Sequence, residues 1–212
     1  MVNGSQSRRI VAKLNIALRR TSKYFRRWHI KINPSKTEAA FFPSDGKRRR
    51  LPRAPLTIGD EAVHFGNSLK YLGVVLDAKL NFAKHIAAAR SKGLAACCSL
   101  YPIMGRRSRL TAKNKLLLVK QVIRPIMSYA APVWTLAART HIISLQRIQS
   151  RAIKTALSMP RRSPTAEIHA IADISLLDKY IADSREAFRR RCTDSDRPIL
   201  RQIAEDWALL GR

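Results

Sequence analysis

The sequence predicts an α+β fold: an N-terminal helix plus short antiparallel hairpins, followed by helices only. Three observations carry this expectation. An acid-free amphipathic pattern of helical period runs from Ser7 to Trp28. β-prone runs punctuated by Pro, Asn and Gly then extend to Asp77. From Asn81 onward the pattern is helical throughout, which places a boundary near residue 80.

In the first helix, Val11, Leu14, Leu18, Thr21, Phe25 and Trp28 recur at steps of three and four, within an arc of about 100°. Arg8, Arg9, Lys13, Arg19, Arg20, Lys23, Arg26 and Arg27 fall on the opposite side, with Ile16 and Tyr24 as exceptions. Cations without anions form no salt bridges, so this face reads either as simply solvated or as a phosphate contact. The helix leads into Ile30–Ile32 and Thr37–Phe42, read as paired strands joined at Asn33-Pro34-Ser35, with Lys36 at the mouth of the second. The bland reading of this stretch is an ordinary helix-plus-hairpin unit.

Pro43–Pro55 is a surface loop, and its run Lys47-Arg48-Arg49-Arg50 fits a nuclear-localisation patch, a phosphate contact or a solubilising tip equally well. Leu56–Ile58 and Ala62–Phe65 flank Gly59-Asp60 as a hairpin. Ser68–Asp77 reads as a third β run, in which Gly73 suits a close backbone approach or a bulge.

Asn81 opens a helix to about Leu100, and Tyr101–Arg109 is a basic turn. Thr111 caps a helix with Lys113, Lys120 and Arg124 along one side and Leu116, Val119, Ile123 and Ile126 along the other; Pro125 should end or kink it. A helix over about Arg139–Met159 carries Leu145, Ile148, Ala152 and Ala156 on one side, with Arg147, Arg151 and Lys154 nearby. After the break at Pro160 and Pro164 come less charged helical stretches from Thr165 and a last helix from Pro198.

Charge narrows the class of partner. Across 212 residues, 41 Lys and Arg stand against 14 Asp and Glu, a formal net charge of +27. Such a surplus repels itself unless a polyanion screens it, and nucleic acid is the commonest polyanion of that size. The charge lies in two blocks: residues 1–55 carry 15 basic and 2 acidic side chains, and residues 105–164 carry 13 and none. No carboxylate occurs from Ala78 to Ala166, whereas residues 165–212 are close to neutral.

Cys97, Cys98 and Cys192 form no paired framework, which fits free thiols in a reducing, intracellular compartment, nuclear or cytoplasmic. No apolar run reaches membrane length. The Arg-rich, amphipathic N-terminus also describes a mitochondrial transit peptide, but its pattern continues unbroken into the following strands.

Metal-dependent nucleotidyl transfer needs converging carboxylates. Asp60-Glu61, Asp194 with Asp196, and Glu205-Asp206 are each better read as solvated surface. The five histidines have no ligand spacing, and no P-loop, G-x-S-x-G or G-x-G-x-x-G is present. By its own chemistry the chain has no active site, and no metal or cofactor is expected in it.

Four blocks in one order carry a resemblance over roughly residues 7–210. The basic helix ending in WHIKINPSKTEAAFF, then SLKYLGVVLDAKLNF (Ser68–Phe82), VIRPIMSYAAPVW (Val122–Trp134) and LQRIQSRA (Leu145–Ala152) resemble the C-terminal part of the reverse transcriptase of jockey-type non-LTR (LINE-like) retrotransposons. The resemblance implies a palm edge over 1–77, a helical thumb over 78–160 and a helical extension over 161–212. Lys36 would then lie close to the incoming nucleotide as an accessory residue. Tyr71, Leu72 and Gly73 would position the primer end, and Lys113, Lys120, Arg124, Arg147 and Arg151 would grip the RNA/DNA template–primer duplex.

The family's two-metal carboxylates, which hold Mg²⁺ in the intact enzyme, lie upstream of the first block, the last of them in an aromatic-Ala-Asp-Asp motif. No such motif occurs in this chain. The resemblance therefore implies a fragment that binds template–primer without catalysing alone, with the remaining reverse transcriptase segments as a further partner. The alternative is a non-enzymatic basic nucleic-acid-binding protein derived from the retroelement.

Overall fold

The computed structural model of the chain describes residues 4–42, 52, 54–135 and 137–210. It divides into two units, Met1–Phe82 and Ala83–Arg212. The basic tetrad Lys47–Arg50 lies outside the described residues.

The first unit begins with helix α1 (Gly4–Arg27). Its inward row is Val11, Asn15, Leu18, Ser22 and Phe25, whereas Leu14, Thr21 and Trp28 of the expected apolar stripe are exposed. The row is rotated because α1 packs against strand β2 (Leu56–Ile58), where Val11 joins Leu56, Ile58 and Val63 in a small core. Asn15 faces that strand: its Oδ1 accepts from Thr57 N at 2.9 Å, and its Nδ2 donates to Pro55 O at 3.5 Å. The helix ends with the N–H of Ile30 on Phe25 O and that of His29 on Arg26 O, a Schellman closure with His29 in the left-handed region.

The strand pairing expected between Ile30–Ile32 and Thr37–Phe42 is corrected. Pro34–Lys36 forms a 3₁₀ turn held by its own bonds, with Asn33 Oδ1 accepting from Ser35 N at 3.0 Å and Ser35 Oγ at 2.7 Å. Bonds within the turn leave its two arms unpaired with each other. Strand β1 (Ala39–Ala40) instead pairs in parallel with β4 (Phe65–Gly66).

The Gly59-Asp60 hairpin forms as β2 against β3 (Glu61–Val63), antiparallel. Ser68–Asp77 is not one run but a second hairpin, β5 (Ser68–Tyr71) and β6 (Val74–Asp77). Its two-residue turn has positive φ at both Leu72 (46°) and Gly73 (84°), so Gly73 serves a turn and not a bulge.

The second unit is helical. It comprises α2 (Ala83–Met104), α3 (Ala112–Leu118), a π turn (Val119–Ile123), α4 (Arg124–Ser128), α5 (Ala131–Trp134), α6 (Arg139–Ala156), α7 (Thr165–Ala172), α8 (Leu177–Thr193) and α9 (Pro198–Leu210). Thr111 caps α3, its Oγ1 accepting from Asn114 N. The π turn ends two residues before Pro125, whose missing N–H and ring bulk disfavour an unbroken α ladder, and the helix resumes as α4.

Helices α2 and α6 pack along each other, and α6 also meets α7 and α8. Trp134, Ile123, Met127, Leu145, Ile153 and Leu177 are fully buried in this unit. A Cβ on Gly93 would come within 2.7 Å of Met127 Cγ, so glycine is what lets α2 approach that closely. Beside the Trp134 ring, burial pushes the His85 imidazole below its ordinary pKa. Among the described residues, no helix is long and apolar enough to cross a membrane.

Candidate nucleic-acid interface

The expected contact residues separate into distinct places. Lys36 is exposed at the end of the 3₁₀ turn, its N–H on Asn33 O at 3.3 Å. Tyr71 and Leu72 are 63% and 75% exposed, with Gly73, at the tip of the β5–β6 hairpin. A leucine at the first, left-handed turn position carries a steric cost of about 1–2 kcal/mol that Asn or Gly would not. Leu72→Asn is therefore expected to raise hydrogen-exchange protection of the Ser68–Asp77 amides by about 1 kcal/mol. Unchanged or lower protection would show that the turn is not strained.

Lys113 is exposed on α3. Lys120, in the π turn, lies 4.0 Å from Asp173. Arg124 belongs to the interior: it is 8% exposed, and its Nη2 donates to Ser175 O at 2.6 Å and Ser175 Oγ at 3.0 Å. Its Nε donates to Gln149 Oε1 at 3.1 Å, and its guanidinium lies 4.2 Å from the centroid of the Tyr180 ring. Burial lowers its pKa. With Nε and Nη2 both engaged inside the unit, that edge of the guanidinium is taken up by the fold and not turned toward a phosphate.

Arg147 and Arg151 do meet in one place. One turn apart on α6, with a rise of about 6 Å between them, both line a groove of about 760 Å³ with Tyr101, Arg106, Lys154 and Arg161. Among the described residues, no carboxylate lines it. The same two arginines also line an adjoining hollow of about 500 Å³ with Arg90 and His141. Tyr101, Arg106 and Arg161 come from outside α6 and were not singled out by the helical spacing. The signal that could have found them was the acid-free block itself, together with the basic Tyr101–Arg109 turn.

The floor of the groove is rigidly hydrogen-bonded. Gln146 Oε1 accepts from Leu177 N at 2.6 Å, while its Nε2 donates to Ser150 Oγ at 3.0 Å and to His169 Nε2 at 2.9 Å. The acceptor role of Nε2 follows because His169 Nδ1 faces the Ile174 carbonyl at 2.8 Å and donates to it. At one side, burial raises the Cys97 thiol to about 11, which keeps it protonated and unreactive at neutral pH.

Among the described residues, no group of three or more His, Cys, Asp or Glu could hold a metal ion. Asp77 is occupied by backbone donors: Lys79 N at 3.1 Å, Asn81 N at 3.2 Å and Phe82 N at 2.7 Å. Asp60 and Glu61 sit at the β2–β3 turn.

Sequence comparison supplies the context for this groove. The Drosophila melanogaster protein named Probable RNA-directed DNA polymerase from transposon X-element is 38% identical over 135 residues, 64% of this chain and 14% of that protein. The RNA-directed DNA polymerase from mobile element jockey of Drosophila funebris is 23% identical over 177 residues, 84% of this chain and 19% of that protein. The chain matches a segment of jockey-type retrotransposon reverse transcriptases. A third such relative, named Probable RNA-directed DNA polymerase from transposon BS of Drosophila melanogaster, is 25% identical over 157 residues, 74% of the chain and 17% of that protein. The matched reverse transcriptases are far longer, and the chain spans less than a fifth of their length. No protein-family model matches the chain. No solved structure matches it.

Proposed function

We propose that this segment holds template–primer nucleic acid for a retrotransposon RNA-directed DNA polymerase and performs no nucleotidyl transfer by itself. The observation that carries this is the carboxylate-free groove lined by Arg106, Arg147, Arg151, Lys154 and Arg161. A concave surface of one sign attracts a polyanion backbone whatever its sequence. The relatives' printed activity names the polymer, and the scattered carboxylates argue against catalysis within this chain. In this reading Mg²⁺ and its ligands come from other reverse transcriptase segments. The exposed Tyr71–Leu72–Gly73 tip meets the primer end, and Lys36 stands near the incoming nucleotide.

The test combines primer extension on poly(rA)/oligo(dT) with Mg²⁺ and duplex binding across a salt series. The expected result is binding that weakens steeply with salt, without extension. Salt-insensitive or absent binding would remove the gripping role. Extension dependent on Mg²⁺ would mean that the carboxylates do form a catalytic site.

A further inference from the structure

Tyr101 is out of place for a core residue. It lies in the last turn of α2, its side chain 62% exposed, in the wall of the basic groove. A second hollow of about 400 Å³, lined by Cys97, Cys98 and Met104, shares Tyr101, Arg151 and Thr155 with the groove, so the ring stands where the two meet.

The backbone beneath the ring is tightly turned. A Cβ on Gly105 would lie 2.9 Å from the Tyr101 carbonyl oxygen, so the close backbone turn after Tyr101 needs glycine, while at 3.6 Å from Cζ the ring packs over that glycine at ordinary contact distance. That corner is fixed by the N–H of Gly105 on Tyr101 O at 2.8 Å. The buried Lys115 Nζ donates to Gly105 O at 2.9 Å. An exposed aromatic ring on a hydrogen-bonded corner, lining one groove with Arg106 and Arg151, has the makings of a nucleobase stacking platform.

We infer that Tyr101 stacks on an unpaired base, so that the groove takes the single-stranded overhang beside a duplex in preference to blunt duplex. This rests on the proposal that the groove binds nucleic acid. The bases of a duplex are already stacked on their neighbours and offer their faces only at an end, whereas an overhang offers free faces and the same phosphates. Arg147 and Arg151 would hold those phosphates while Tyr101 takes the base.

The experiment uses the full chain at about 0.1 M salt with two DNA probes of equal charge, a blunt duplex and a duplex carrying a four-nucleotide overhang with 2-aminopurine. Wild type is expected to prefer the overhang and to quench its fluorescence. Tyr101→Ala should lose overhang affinity on the order of tenfold, a clearly larger loss than on the blunt duplex, with the quenching gone. Tyr101→Phe should keep both. Equal losses on the two probes, or quenching that survives in Tyr101→Ala, would overturn the inference. If wild type binds neither probe in a salt-dependent way, it is the groove's nucleic-acid role that fails.

Discussion

Replacing Arg124 with alanine is expected to cost the helical unit about 3 kcal/mol, because hydrogen bonds of a charged donor are lost and a cavity is left. The side chain ties α4 to Gln149 on α6 and to Ser175 ahead of α8, and it covers the Tyr180 ring. These are long-range links, 25 and 51 residues apart along the chain. Deleting the guanidinium leaves Gln149 Oε1 without this donor in a fully buried position. Arg124→Lys keeps the charge but not the planar fork, and should fall between alanine and wild type. In thermal melts the alanine variant should unfold on the order of 10 °C lower. The folded fraction should bind nucleic acid with unchanged affinity. Loss of affinity at an unchanged melting temperature would instead return Arg124 to the binding surface.

The burial of Arg124 shows what the sequence carried and what it did not. Lys113, Lys120 and Arg124 share a side only if an α-helix runs unbroken through them. The π turn at Val119–Ile123 fits more residues into a turn, so everything after it is rotated relative to that projection. Pro125 marked a disturbance there but could not say which way the chain would turn. The helices themselves were legible, since Leu145, Ile148, Ala152 and Ala156 are all buried at their expected helical spacing.

Helix ends were less so. His29, Ser158 and Asp173 occupy the left-handed closing position usually marked by glycine, and α6 stops at Ala156 without that signal. In the β part, chain-local turn chemistry was readable, but partners distant in sequence were not. Nothing in Thr37–Phe42 points to parallel pairing with Phe65. Of the site, Arg147 and Arg151 were visible as a helical pair. The residues opposite them became apparent only once α2 was laid against α6.

That pair carries the second large effect. For duplex DNA, each phosphate contact contributes a salt dependence of about 0.9 in log–log slope, equivalent to about eightfold in affinity at 0.1 M salt. The double variant Arg147→Ala/Arg151→Ala is therefore expected to bind about 60-fold more weakly at 0.1 M and only about 3- to 4-fold more weakly at 0.5 M. Its slope should be shallower by about 2. Both side chains are exposed, so the melting temperature should stay near wild type. Fluorescence anisotropy over a salt series reads affinity and slope together. A loss that stays constant with salt would mean that the two arginines act through shape and not through charge.

Asn15 bears on how copies of this protein meet one another. A strand with a free edge offers alternating N–H and C=O groups to any passing chain, and edge-to-edge growth is the usual route from a small sheet to an aggregate. The N–H of Thr57 on β2 and the carbonyl of Pro55, just ahead of the strand, both meet one asparagine side chain projecting from α1. A helix thus stands in for a neighbouring strand at these two groups, one donor and one acceptor that a second molecule would otherwise meet first.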